Sequence, residues 1–493
     1  MSRSISSKIK VECVLVAETP LSVGGMGGGE QVDLELAIDG RGRFYIPGSS
    51  IAGPLRYWTE RFLVDGAKLA DKMFGFQKDD KGEASRIFIE DAVVQSNGRE
   101  RRHGIAIDRG SGVTREGFFY TRAILAKGTS FPLSMELDVP QEGSPLPEIL
   151  FLLLDALGKG RIRFGAGKTR GYGRVRMENF RIDRYDFLSS DVREEDLRRW
   201  LDGERASVSG GLETLETPED LRTVRLLEGT GKSIRIEWRP RSPLMVKSGR
   251  DGREADMLPL VSGNGEGLVP VLPGSALKGV FRSHAEKILR TLFLSGKQDD
   301  EATLDMIRDL FGDDTRSGRL FFGDVYALVE SPPSVDEWFS EQEEVLDATT
   351  SFEQHVAIDR FTGGASEGAL YSARPVKQSV SWEPILLALD FQKPLLFADD
   401  DGTGASGKSE PLPPLPEELR EAEMALLELV TSDLRLGLIP LGFGSLRGLG
   451  EIEVASVDGL EAEDADARKR AWKRFVDAEG RLEAFVDAEE GKK

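Results

Sequence analysis

Near the start of the chain Ile9, Val11, Cys13 and Leu15 fall on every second position, a period of two that predicts a half-buried strand over Ile9 to Ala17. Ser233 to Trp238 alternates in the same way and predicts a second strand. Behind each comes a loop and then helical spacing introduced by Pro-Gly-Ser, over Gly48 to Phe62 and Gly274 to Leu294. Serine oxygens at these starts are expected to cap the exposed backbone donors of the first turn. Strand patterns follow at Arg86 to Val94 and Arg319 to Val325, and second helices at Glu148 to Leu157 and Leu419 to Leu434. Strand, helix, strands, helix, strand is the order of the ferredoxin-like plan, and the chain runs through it twice.

The duplication extends to individual blocks. Ile46-Pro-Gly-Ser-Ser-Ile-Ala-Gly-Pro-Leu-Arg56 returns as Leu272-Pro-Gly-Ser-Ala-Leu-Lys-Gly-Val-Phe-Arg282, and Phe74-Gly75 ahead of Arg86-Ile-Phe88 returns as Phe311-Gly312 ahead of Arg319-Leu-Phe321. Ile107-Asp-Arg109 with Glu116-Gly117 and Tyr120 matches Ile358-Asp-Arg360 with Glu367-Gly368 and Tyr371. Gly165-Ala-Gly-Lys-Thr-Arg-Gly-Tyr-Gly173 matches Gly442-Phe-Gly-Ser-Leu-Arg-Gly-Leu-Gly450. Each copy is large enough to bury its own core, so tandem domains are expected rather than a solenoid. The boundaries read as 1–184 and 231–457, separated by a charged linker at 185–230 with a short helix at Glu194 to Leu201, and followed by a helical tail at 458–493. In that tail Trp472, Phe475, Leu482 and Phe485 are spaced to pack on this chain or on a partner. The acidic, Gly/Ser/Pro-rich stretch 399–416 reads as a disordered loop. The stretches Asp91 to Val113 and Asp324 to Gly364 are long for simple connections and are expected to form extended hairpins.

Composition narrows the chemistry. With 39% hydrophobic and 30% charged residues the chain is of the soluble globular class, no apolar run reaches membrane-spanning length, and the first residues lack a signal-peptide core, so a cytoplasmic location is expected. Cys13 sits in the alternating strand and reads as an inert core thiol. Three histidines, His103, His284 and His355, are too few and too scattered for a zinc site. A net charge of −20 argues against nucleic acid at first sight, but the acidic runs lie outside the repeated blocks while Arg161, Arg163, Lys168, Arg170, Arg174 and Arg176 cluster inside one.

Two catalytic motifs are excluded. Gly165 to Thr169 evokes a phosphate loop, yet Ile162 stands where its first glycine belongs and Ser445 replaces the lysine in the second copy. Ser275-Ala-Leu-Lys278 lacks the companion motifs of penicillin-recognising enzymes, and the other copy has Ala52 in place of the lysine. What survives is a duplicated set of glycines, serines and basic residues at helix starts and strand edges, suited to close backbone approach and phosphate contact.

The combination of Pro-Gly-Ser-Ser/Ala-x-x-Gly-x-x-Arg, Ile-Asp-Arg followed by Glu-Gly-x-x-Tyr, and Gly-x-Gly-x-x-Arg-Gly-x-Gly resembles the RAMP superfamily of CRISPR effector proteins. It is most similar to the backbone subunits that coat guide RNA in type III complexes, here in the double-RAMP form of type III-D. The resemblance implies an α+β protein of two tandem ferredoxin-like (RRM-like) RAMP domains with hairpin insertions. Its partners would be guide RNA, target RNA and the other RAMP and large-subunit proteins of an effector complex, with no membrane. Ser49, Ser50, Arg56, Arg109, Lys168, Arg170, Ser275, Lys278, Arg282, Arg360 and Arg447 would bind RNA.

The resemblance also implies a target-cleaving aspartate on the loop between the first strand and the Pro-Gly-Ser helix. Asp33 occupies that place in the first copy and Asp256 in the second, with Glu35, Asp39, Asp251 and Glu254 as further acids on the two loops. Attack by a ribose hydroxyl depends on alignment with the departing oxygen. An aspartate with an ordinary pKa near 3.9 is a weak base at neutral pH, so a divalent ion, Mg2+ by its preference for oxygen and water ligands, is expected, although the sequence has no dedicated cage and assigns no metal ligands. A non-catalytic RNA scaffold is one alternative. A guide-processing endonuclease using His103 or His355 is another.

Overall fold

A computed structural model describes residues 4–25, 32–78, 80–95, 99–107, 114–188, 193–215, 223–227, 231–248, 255–293, 304–313, 317–332, 348–391, 416–482 and 485. Arg109, Asp251, Glu254 and nearly all of the loop expected at 399–416 lie outside the described residues. The protein is a mixed α/β chain with antiparallel sheets. It divides into two compact units, Met1–Arg101 with Thr121–Lys168 and Tyr172–Thr230, and Arg102–Tyr120 with Thr169–Gly171 and Gly231–Lys493. No described helix is long and apolar enough to cross a membrane.

In the first unit the alternating stretch forms β1 (Ser7–Ala17), with Ile9, Val11, Cys13 and Leu15 all buried. Burial pushes the Cys13 thiol up to about 12, so it stays protonated and inert. Helices α1 (Gly48–Phe62) and α2 (Gly66–Phe74) follow, then β2 (Ile87–Ile89). The chain then forms a two-stranded hairpin, β3 (Arg99–Ile107) with β4 (Thr114–Leu125), whose stretch Arg102–Tyr120 belongs to the second unit, and resumes the first unit with β5 (Ser130–Val139), α3 (Leu146–Gly158) and β6 (Val175–Asp186). The helix α3 stretch is almost wholly apolar, and Leu146, Ile149, Leu150, Leu153 and Leu157 join Ile51, Leu55 and Trp58 of α1 in the core.

The region read as a linker is built into this unit. Helix α4 (Arg193–Leu201) leads to β7 (Val208–Gly210), which pairs with β6 and completes a sheet ordered β7-β6-β1-β5-β2. Buried Asp196 fixes it by accepting from the backbone N–H groups of Asp186 and Ser207. Farther along, Glu148 of α3 accepts from Thr223 N–H and Oγ1 and from Val224 N–H.

The second unit repeats the plan with β8 (Gly231–Pro240), a short pair β9 (Val261–Gly263) and β10 (Leu268–Leu272), α5 (Gly274–Phe293) and α6 (Asp305–Phe311). Strands β11 (Leu320–Phe322) and β12 (Val325–Leu328), the hairpin β13 (Glu353–Ile358) and β14 (Ala365–Ala373), β15 (Ile385–Asp390), α7 (Glu417–Arg435), β16 (Ile452–Asp458) and α8 (Ala465–Asp477) complete it. Its main sheet runs β11-β15-β8-β16. Phe475, Leu482 and Phe485 of the tail are buried in the core of this unit, with Trp472 packed against it.

Two expectations are corrected here. The hairpins do not end before the Glu-Gly-x-x-Tyr blocks: those blocks are the returning strands β4 and β14 themselves. Nor do serines cap the helix starts. Helix α1 begins after Pro47 without a side-chain cap from that position, and its first donor, Gly48 N–H, is taken by Asp91 Oδ1 at 2.8 Å. Gly274 N–H is taken by Asp324 Oδ1 at the same distance.

Candidate functional site

The loop that carries Asp33 leaves and re-enters the fold through a short ladder. Ala37 N–H donates to Val23 O and Gly25 N–H to Glu35 O. Asp33 is exposed, but its chain neighbour Val32 is buried and Leu34 makes a parallel bridge to Arg122, so its backbone is held on both sides. Asp33 Oδ2 accepts from Thr121 N–H at 2.7 Å and from Thr121 Oγ1 at 3.1 Å.

The second copy builds the same seat from different residues. Leu260 N–H donates to Val246 O and Ser248 N–H to Leu258 O. Buried Ala255 precedes Asp256, and Met257 bridges to Ala373 in parallel. Asp256 Oδ2 accepts from Ser372 N–H at 2.8 Å and Ser372 Oγ at 2.9 Å, and its own N–H donates back to that hydroxyl at 3.1 Å. Thr121 directly follows Tyr120 and Ser372 directly follows Tyr371. Counted along the sequence, one offset relates every pair from Val23 and Val246 to Ala37 and Leu260, so the change in register before the helix arises beyond the aspartate loop, where a turn in one copy corresponds to the β9–β10 pair in the other.

The hydrogen bonds from Thr121 hold the Asp33 carboxyl below the usual carboxylate range, its backbone N–H contributing most. Ser372 does the same for Asp256, with Lys247 adding a smaller pull. Both groups are therefore anionic at neutral pH, each with Oδ2 committed and Oδ1 turned to no other described residue. They are poor general bases and good fixed acceptors. Glu35 is drawn away to Arg99, at 2.6 Å, and Asp39 closes a turn by accepting from Arg41 N–H and Arg43 N–H, both at 2.9 Å.

Beside the second seat, Arg447 donates to Tyr371 Oη, and its guanidinium lies 4.8 Å from the Phe443 ring centre. Also within the second unit, Arg170 donates to Tyr120 Oη at 2.8 Å. The glycine-rich block and the Glu-Gly-x-x-Tyr block thus meet through the same pair of residues twice. Two of the three histidines lie on the hairpins, His103 stacked on Phe119 and His355 on Tyr371. These hairpins carry unusual apolar exposure: Ile105, Ile107 and Phe119 on one, and Val356, Ile358 and Leu370 on the other, with Phe361 fully exposed at its turn.

The basic residues divide. Arg170, Arg360 and Arg447 are exposed, as are the hydroxyl-bearing Ser49 and Ser275, while Ser50 is half-buried. Lys168 is less basic than usual because of burial and the neighbouring Arg163, and Lys278 Nζ donates to Thr169 Oγ1 at 2.9 Å. Arg56 and Arg282 have partners within the fold. Arg56 binds Glu60 at 2.8 Å, Asp71 at 2.6 Å and the Gly75 carbonyl at 2.6 Å, and Arg282 donates to the equivalent carbonyl of Gly312. Both fasten the helix to the Phe-Gly turn, whose glycines have φ of 75° and 82°. Thr121, Ser372, Asp91 and Asp324 were not singled out from the sequence. The two acids follow the matched Arg-x-Phe triplets at the same distance and extend that block to Arg-x-Phe-x-x-Asp.

A family model for the RAMP superfamily matches residues 14–176 and 241–453, more than half of the chain. No curated protein matches it.

Proposed function

This chain belongs to the RAMP superfamily, which ties it to an RNA-binding, CRISPR-associated role of the type III kind, and from that premise we propose that it is a double-RAMP backbone subunit of the type III-D sort that cleaves RNA paired to its guide at two positions. The observation that carries this reading is the duplicated carboxylate seat, Asp33 on Thr121 and Asp256 on Ser372. A ferredoxin-like core in each copy is supported by the order of the four principal strands, β6-β1-β5-β2 and β16-β8-β15-β11, with the fourth strand beside the first and the third between first and second.

In this mechanism the guide runs along the exposed arginines Arg170, Arg360 and Arg447, and the apolar hairpins insert between bases and unstack a target nucleotide. The ribose hydroxyl of that nucleotide donates to the open Oδ1 of the aspartate. Its oxygen is thereby aimed at the adjacent phosphorus, in line with the departing 5′ oxygen: the new O–P bond forms as the bond to the 5′ oxygen breaks, a 2′,3′-cyclic phosphate results, the hydroxyl proton passes to solvent and the 5′ oxygen takes a proton from solvent. The seat contributes orientation and a fixed negative charge, not strong proton abstraction. Magnesium fits this seat only as an ion that keeps most of its waters and takes further ligands from RNA, because no group of three or more His, Cys, Asp or Glu is placed to hold a metal among the described residues. Bound there, it would neutralise charge developing on the phosphate oxygens.

The test uses the full chain in its ribonucleoprotein with a labelled complementary RNA. Asp33→Asn keeps the acceptor for Thr121 but removes the charge, and it should abolish one cut; Asp256→Asn should abolish the other. Target binding should be unchanged, and each loss should be about 10²- to 10⁴-fold. Both products persisting in the double variant would leave the chain a scaffold.

A further inference from the structure

The two α-helix starts that the duplication makes equivalent differ in what covers them. In the second unit the space over Gly274, Lys278 and Asp324 is filled by the segment Thr169–Gly171, which belongs to the same unit. A side chain at Gly274 would strike the Arg170 carbonyl at 2.8 Å, and one at Gly171 would strike Asp324 Oδ1 at 2.7 Å, so loop and helix meet backbone to backbone. Lys278 reaches Thr169 Oγ1 at 2.9 Å. Strand β3 supplies Arg102, whose Nη2 donates to Ser262 Oγ at 2.8 Å and to Asp324 Oδ2 at 3.2 Å. Asp324 is consequently buried, at 8% exposure.

In the first unit the equivalent surface is an open groove of about 290 Å3 lined by Gly48, Ala52, Gly53, Phe74, Ile87 and Ile89, among others. Its floor is the start of α1, its wall the outer edge of β2, which ends the sheet. Asp91, the counterpart of Asp324, is exposed, with Oδ1 on Gly48 N–H and no described partner on its other oxygen. Ala52 stands where the second unit has Lys278, so the groove loses that cation beside the helix start; Arg56, which also lines it, is held by Glu60 and Asp71, and Asp91 remains bound to the first N–H of its floor.

We propose that this groove is the docking site for the glycine-rich loop and hairpin strand of a different RAMP-fold subunit, one that carries a basic residue where β3 carries Arg102. This deepens the reading of the chain as a subunit of a multi-RAMP ribonucleoprotein and rests on it. The second unit supplies the template: a loop with a positive-φ glycine, Gly171 at φ 101°, lying on the helix start, and a guanidinium neutralising the acid that caps it. A second copy of this chain suits the groove less well. Counted back from Tyr120 and Tyr371, the residue matching Arg102 is Glu353, which would face Asp91 with like charge, on a molecule already at −20.

Gly53 provides the probe, because it is exposed and nothing stands within 4 Å of a side chain built on it. A photo-crosslinking p-benzoylphenylalanine at position 53, in the full chain within its native complex, should join to a peptide from the glycine-rich block of another RAMP-fold subunit. Gly53→Glu raises helix propensity and obstructs the groove. It should lower recovery of that subunit at least about tenfold, the scale of one interfacial hot spot, with the unfolding midpoint and binding of a guide oligonucleotide unchanged. A crosslink to RNA, to a non-RAMP protein, or to the Leu446-containing peptide of a second copy would overturn the proposal, as would undiminished recovery with Gly53→Glu. A wild-type chain that brings down neither RNA nor any RAMP-fold subunit would instead overturn the ribonucleoprotein reading itself, and the docking proposal with it.

Discussion

Arg319, immediately before β11, is buried against two carboxylates, Asp309 of α6, 2.6 Å from its Nε, and Glu423 of α7, which its Nη2 also contacts. One cation cannot neutralise two anions. Burial, with the Asp309 charge adding to it against the opposing pull of Arg319, pushes the Glu423 carboxyl up to about 8, so the folded unit retains a proton there. The unfolded chain releases it near the ordinary glutamate value of 4.5. Between those values the folded state binds the extra proton, so this site's contribution to stability is complete below the unfolded pKa and falls as pH rises toward 8. The slope is at most about 1.4 kcal/mol per pH unit for one proton. Glu423→Gln keeps a neutral group of the same shape and should flatten that slope, leaving the second unit more resistant to urea at pH 8 than the wild type while matching it near pH 5. Arg319→Met leaves buried acid without its cation and should cost about 3 to 5 kcal/mol. The assay is urea unfolding followed by fluorescence of Trp238, Trp382 and Trp472 across that pH range. Parallel pH profiles for wild type and Glu423→Gln would refute the retained proton.

Other expectations concern the seats and the basic residues. Ser372→Ala removes one donor to Asp256 and the acceptor for its N–H, and Thr121→Val one donor to Asp33; each should slow only its own cut, by about tenfold, as expected for a positioning hydrogen bond to a charged group. A uniform slowing of both cuts would indicate damage to the fold instead. Because both aspartates lie below the usual carboxylate range, cleavage should show no inflection from them between pH 5 and 8, whereas a rate falling through an apparent pKa in that window in wild type but not in the variants would contradict the assignment. Arg56→Ala and Arg282→Ala should lower thermal stability and leave the salt dependence of guide binding unchanged, while Arg360→Ala and Arg447→Ala should each reduce the salt slope by about 0.7, the single-strand value per phosphate.

The helices and long strands were legible because their cores are periodic. The β1 alternation and the apolar run of α3 each admit one buried face, and the expected spans agree with the observed ones to within a few residues. The arginines were harder. Arg56 and Arg282 lie among glycines and serines at a helix start, where charge alone suggests phosphate, but their partners are carbonyls of Phe-Gly turns that only the fold brings near. The strand β7 was hidden for a different reason: three residues in a charged connector have no period, and only the open edge of β6 makes them a strand. Asp91 and Asp324 could have been found by following the repeated Arg-x-Phe block three residues further.

A chain that contains its own duplicate separates what a site needs from what a fold tolerates. Around the two aspartates nearly everything has changed: Glu35 with its Arg99 partner corresponds to Leu258, Gly25 to Ser248, and Lys247 stands near only one of the carboxylates. Thr121 has become Ser372. What stays is a backbone N–H and a hydroxyl at one position, directed at one carboxylate oxygen, with the next residue bridged in parallel to the strand that supplies them. Structural anchoring alone would not require that acid to remain an acid in both copies; the turn acid Asp39 is anchored equally well, and in the β9–β10 turn of the second copy the same job is done by uncharged Asn264, which accepts from Glu266 N–H and Gly267 N–H. An exposed carboxylate held rigid on one oxygen and open on the other, twice, beside loops that have otherwise diverged, is the arrangement expected of a group whose free oxygen meets a ligand.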